Sequence, residues 1–205
     1  MKNLNEIIDE IESNLDDKDA IREVALKSCR AITRLSTATT QAVHRNENVD
    51  DLFKDAKLEA SRLRSLIQEH PDLLHSGFVQ SAFQELCEAA ILLAVIRGED
   101  LPFPKDLGVT DTSYLLGMAD SIGELRRFTL ECLRKEDVES ATAYLEKMER
   151  FYEVLLRFNY PNALVSIRRK QDIARSLTEK TRGELTVALR GTALEKKIDE
   201  LQKKI

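Results

Sequence analysis

Two pairs of carboxylates are spaced to share a helix face. Glu85 and Glu88 stand at i and i+3, and Asp120 and Glu124 at i and i+4, separations that bring side chains together on one side of an α-helix. Like charges held that close cost a helix about 0.2–0.5 kcal/mol per pair, so each pair calls for a cation. Donor sets made only of carboxylate oxygen suit Mg²⁺ or Mn²⁺ rather than zinc. A metal so held carries water, activates it for attack and neutralises a phosphate. The residues from Ala89 to Ile96 are apolar without a break, so the first pair heads toward a core, where an isolated charge is costly. A solvated edge neutralised by Arg126 or Arg127 is the competing account of the same spacing. No histidine (44, 70 or 75) follows a glutamate by three, which argues against a di-iron bundle. The all-α nucleotide pyrophosphatases, which also use Glu-x-x-Glu and a later acidic pair, stay open.

A second chemistry lies in the cations. The formal charge of −5 hides a partition. Residues 1–20 carry two basic and seven acidic side chains, residues 21–45 five basic and one acidic, and residues 161–191 seven basic and three acidic. Lys27, Arg30 and Arg34 line up at helical spacing, with Gln41 and Arg45 further along. Arg168, Arg175 and Arg182 recur every seven residues, with Gln171 between the first two. Arginine rows match phosphates in charge and in forked hydrogen-bond geometry. Ion pairs to Asp172, Glu179 or Glu184 would make the second row an ordinary solvated face. Aromatics are 5% of the chain and tryptophan is absent, so a nucleic acid here is held by backbone and shape more than by stacking.

The elements that must position these groups are long helices. Seven Gly and four Pro are too few for a turn-rich β fold. Between the breakers (Pro71, the Gly98–Gly108 stretch, Pro161) apolar residues recur every three or four positions. The periodicity predicts helices over 19–45, with Asp17 or Asp19 as N-cap, over 50–69, 77–97, from Thr110 or Asp111 onward, over 136–158, and from Pro161 to Gly191. The stripe in the first is Ile21, Val24, Ser28, Ala31 or Ile32, Leu35, Ala38 and Ala42. The charged tail Thr192–Ile205 reads as one more amphipathic helix. The expectation is an all-α bundle of six or seven long helices in a single domain, 1–205.

Cys29, Cys87 and Cys132 lack any C-x-x-C spacing and read as core thiols in a reducing compartment. The acidic start is unlike a signal peptide and no apolar run reaches a bilayer span, so a cytoplasmic location without membrane attachment is expected. His44 suits a helix-end dipole contact or a phosphate, and Tyr114 a core or interface position.

The stretch Tyr114-Leu-Leu-Gly-Met-Ala-Asp120-Ser-Ile-Gly-Glu124-Leu-Arg-Arg resembles the signature of the translin family, in its catalytic factor X branch. Gln84-Glu85-Leu-Cys-Glu88-Ala is similar to that branch's first acidic motif, Lys27-Ser-Cys-Arg30-Ala-Ile-Thr33 with His44-Arg45 to its first helix, and Leu189-Arg190-Gly191 to the end of its last. The resemblance implies a seven-helix fold that assembles as an octameric barrel holding RNA, single-stranded or duplex, and also single-stranded DNA. It implies a Mg²⁺-dependent endoribonuclease whose acidic quartet maps onto Glu85, Glu88, Asp120 and Glu124. A non-catalytic nucleic-acid-binding barrel is the alternative within the family. The short 98–109 segment and the absence of a basic targeting stretch are similar to compact prokaryotic members that form homo-oligomers.

Overall fold

The structure is a computed structural model and describes residues 3–203. All regular structure among them is helical: α1 Leu4–His44, α2 Asp50–Leu66, α3 Pro71–Leu74, α4 Gly77–Arg97, α5 Pro104–Leu107, α6 Asp111–Arg134, α7 Val138–Leu155 and α8 Arg168–Gln202. Six are long, as the periodicity implies. The two single turns, α3 and α5, each begin with proline, whose missing N–H is no loss at a first helical position.

Local chemistry sets most boundaries. The α4 helix ends at Gly98 and α5 at Gly108, both with φ of 67°, a left-handed conformation that glycine adopts without penalty. The Thr110 hydroxyl accepts the Ser113 N–H at 3.2 Å and caps α6. Asp137 accepts from the Ser140 N–H at 3.0 Å and caps α7. Three expectations need correcting. The last long helix begins at Arg168 rather than at Pro161, where the Leu164 N–H closes a turn on the Pro161 carbonyl at 2.9 Å. The α1 helix starts near Leu4, so Asp17 and Asp19 lie inside it rather than capping it; acidic side chains are favoured toward the positive helix N-terminus and do not stop a helix. Gly191 does not end α8, which runs on through the tail to Gln202, because one helical glycine costs only about 1 kcal/mol among good helix formers. Lys204 and Ile205 of that expected tail helix lie outside the described residues.

The chain forms two compact units, residues 1–114 and 115–205, divided inside α6. In the first, α1 packs on α2 and α4. Its buried face is Ala25, Cys29, Ile32, Ser36, Thr39, Ala42 and Val43. Ile32 and Ala42 belong to the predicted stripe; Val24 of that stripe is exposed, and its other members are only half-buried. Helix α4 is buried on nearly every side, with Phe83, Leu86, Cys87, Ile91 and Leu92 inaccessible. It is also long and apolar enough to cross a bilayer, although most of that span is buried within the protein. In the second unit α7 packs on α8, and Ala141, Leu145, Met148, Leu155, Ile167, Ala174 and Leu185 are buried.

Candidate metal and nucleic-acid sites

The first acidic pair rides on the most buried helix of its unit. Glu85 and Glu88 on α4 are half-buried, while Leu86, Cys87, Ala89 and Ala90 around them are buried. The second pair repeats the arrangement on α6: Asp120 and Glu124 are half-buried beside buried Ala119, Ser121, Ile122 and Leu125. Each of the four carboxylates engages a polar or electrostatic partner. For Asp120 one partner is the ammonium of Lys170 on α8. Sequence spacing does not reveal Lys170, which lies 50 residues away and off the arginine row.

Arg126, expected as a neutralising partner for an acidic edge, is committed elsewhere. Its guanidinium forks onto Glu184 of α8 at 2.7 and 2.9 Å and donates to the Thr181 hydroxyl at 2.6 Å. That contact holds the Glu184 carboxyl below the usual carboxylate range.

Each acidic pair belongs to its own unit. Among the described residues no group of three or more His, Cys, Asp or Glu gathers at metal-binding distance. The donor chemistry nevertheless fits a hard cation. All donors are carboxylate oxygens, and Asp120 already sits against a positive nitrogen.

The two rows of cations differ. Lys27, Arg30 and Arg34 on α1 are exposed, and among the described residues none of them has an ion pair. From Val24 to Asn46 the sequence holds no Asp or Glu. Arg30 and Arg34 flank an open groove of about 470 Å³ lined by Leu26, Cys29 and Thr33 of α1 and by Phe78, Ser81 and Ala82 of α4. On α8 the arginines have partners. Arg168 donates to the Asn159 side-chain oxygen at 3.4 Å, Arg175 pairs with Asp172 at 3.6 Å, and Arg182 pairs with Glu149 of α7 at 2.7 Å. Gln171 turns away from its row and donates its amide to the Leu155 and Phe158 carbonyls, at 2.8 and 3.0 Å. It closes the end of α7.

Tyr114 and the buried cysteines are structural. Tyr114 donates its hydroxyl to the Pro102 carbonyl at 2.7 Å, and burial pushes its pKa up to about 12. Burial raises the Cys29 thiol to about 11 and the Cys87 thiol further, the reverse of what a nucleophile needs. His44 has a partner of its own.

Residues 18–183 match the translin family. The chain belongs to it. An uncharacterised protein of Methanocaldococcus jannaschii is 34% identical over 193 residues, covering 92% of this chain and 85% of its own. Among solved structures, AfC3PO in a duplex RNA complex superposes with a TM-score of 0.74 at 33% identity, and AfC3PO by itself with 0.76 at 34%, each over 90% of this chain and 97% of the other. Apo-NeC3PO shares the fold, with a TM-score of 0.79 at 21% identity over 88% of this chain and 96% of its own. The translin match includes both acidic pairs and all six predicted cations. It leaves out residues 4–17 and the end of α8.

Proposed function

We propose that this translin-family protein is a Mg²⁺-dependent endoribonuclease that holds RNA within a homo-oligomeric, octameric barrel in the cytoplasm. The observation that carries this reading is the pair of half-buried diacid faces, Glu85/Glu88 and Asp120/Glu124, on two helices of a translin-family chain. The relatedness to AfC3PO, solved with duplex RNA, supports RNA as the ligand.

The four carboxylates would hold Mg²⁺, or Mn²⁺ in its place. The metal supplies charge neutralisation at a scissile phosphate and a water of lowered pKa. Lys170 balances the charge of Asp120 in the metal-free protein. A carboxylate oxygen not engaged by metal accepts the proton of the attacking water. Lys27, Arg30 and Arg34 take the RNA backbone. Arg168, Arg175 and Arg182 join them by exchanging their exposed partners, contacts that cost little to give up.

The test is incubation of the purified protein with labelled single-stranded and duplex RNA, with Mg²⁺ or with EDTA, beside Glu124→Ala. Cleavage that needs Mg²⁺ and is lost in the variant is the expected result. Cleavage that survives Glu124→Ala removes the assigned site. Binding of RNA or single-stranded DNA without cleavage identifies a non-catalytic family member, and hydrolysis of free nucleotides alone a pyrophosphatase.

A further inference from the structure

The ends of the longest helices carry apolar residues with nothing on them. On α1, Leu4, Ile8, Ile11 and Leu15 are 45%, 44%, 47% and 60% exposed. On α8, Val187, Leu194, Ile198 and Leu201 are 72%, 60%, 43% and 61% exposed. Both sets lie outside the translin match. Their spacings are 4, 3 and 4 on α1 and 7, 4 and 3 on α8. These are the d and a positions of a heptad, with Gly191 at the a position between Val187 and Leu194. Each is a coiled-coil seam without its second strand.

The flanking charges say which strand fits. Beside the α1 seam the e positions are Asn5 and Glu12, with Asp19 one heptad further on, past Lys18 at the next d position; beside the α8 seam, the g positions are Arg190 and Lys197. In a parallel pair, each g side chain faces the e side chain of the partner's next heptad. With Leu194 level with Ile11 and Ile198 with Leu15, Arg190 faces Glu12 and Lys197 faces Asp19. Asp19 now touches Arg22 at 3.4 Å, an exposed contact easily exchanged. An antiparallel pair would set Glu195 against the acidic e row instead. Packing agrees with charge. In the parallel register Ile8 lies opposite Gly191 and fills the hole the glycine leaves. Self-pairing of α8 would set Gly191 on Gly191, and self-pairing of α1 would double an acidic segment that sums to −5 over residues 1–20.

We propose that the N-terminal end of α1 in one copy pairs in parallel with the C-terminal end of α8 in a second copy of this chain. Each copy gives one seam and receives another, outside the family's common core. This assembly contact is independent of the nuclease reading.

Two full-length chains with different tags test it, one carrying Ile11→Cys and the other Leu194→Cys, both with Cys132→Ser. After mixing and mild oxidation, a disulfide-linked species bearing both tags should exceed the same-tag species about fivefold, since level d positions bring the thiols together. A predominance of 194–194 links overturns the proposal, as does closure of one doubly substituted chain on itself. In a second arm, Glu12→Lys with Asp19→Lys should raise the dissociation constant about tenfold by sedimentation, two exposed pairs being reversed. Adding Arg190→Glu and Lys197→Glu should restore assembly. Equal assembly before and after the first reversal overturns the charge register. Unchanged helical circular dichroism confirms that the variants fold.

Discussion

Lys170 on α8 sets its ammonium on the carboxylate of Asp120 on α6, with side chains 29% and 24% exposed. A lysine thus occupies the position of positive charge on one of the four proposed metal ligands. Removing it as Lys170→Met takes away the ammonium, one of the partners of this half-buried carboxylate. The expected loss is about 1–3 kcal/mol in metal-free protein by denaturant unfolding. Because Mg²⁺ would replace the missing charge, its stabilising shift in Tm should be larger for the variant than for the parent. Equal shifts would mean that Lys170 and the metal do not share Asp120.

The rows on α1 and α8 make separable predictions for RNA affinity. Lys27, Arg30 and Arg34 give up no ion pair when phosphate arrives, whereas Arg182 must leave Glu149. Each α1 cation changed to alanine should flatten the slope of log K against log salt by about 0.7–0.9. Arg182→Ala should move that slope less and instead loosen the contact of α8 with α7. Filter binding or fluorescence anisotropy across a salt series reads both. A slope unchanged by all three α1 substitutions would remove that face from the interface.

Much of this was legible before the structure. Helix α4 runs over Gly77–Arg97, the bounds predicted for it, because an unbroken apolar run meets a glycine that must turn left-handed. The acidic pairs are legible for the same reason: their spacing is a property of one helix. What the sequence hides is choice among equals. Several acidic residues near the start of α1 could each have capped it. Small residues such as Ala25, Ser36 and Thr39 share the packed face with Ile32 and Val43 while Val24 is exposed. Lys170 with Asp120 and Arg182 with Glu149 join different helices, a relation that no local period encodes.

The three thiols should differ in reactivity in the order of their burial. Cys132 is partly exposed, and its thiol is raised first by partial burial and then by Asp137. Cys29 is buried with a pKa of about 11, and Cys87 is pushed higher still. At about pH 8, near the ordinary cysteine pKa, iodoacetamide should modify Cys132 first, Cys29 slowly and Cys87 only on unfolding. Mass spectrometry over a time course checks the order. Fast labelling of Cys87 in folded protein would contradict the packing of α4.

The last turn of α6 carries an acid-resistant charge. Glu131 accepts from Arg134 at 2.6 and 2.9 Å and pairs with Lys135 at 3.2 Å. The hydrogen bonds from Arg134, then from Lys135, lower its pKa to about 2, whereas an unperturbed glutamate titrates near about 4.3. The folded value lies below the unfolded one, so folding favours the ionised form. The resulting stability is fully present above about pH 4.3 and is lost as pH falls through about 2. Its size is small, because all three groups face solvent and salt screens them. Carboxyl-carbon NMR should show Glu131 still ionised at about pH 3, when most glutamates have titrated. In Arg134→Ala the midpoint should move up toward the ordinary value, with Lys135 retaining part of the depression. An unchanged midpoint in that variant would show that Arg134 does not hold the carboxylate in solution.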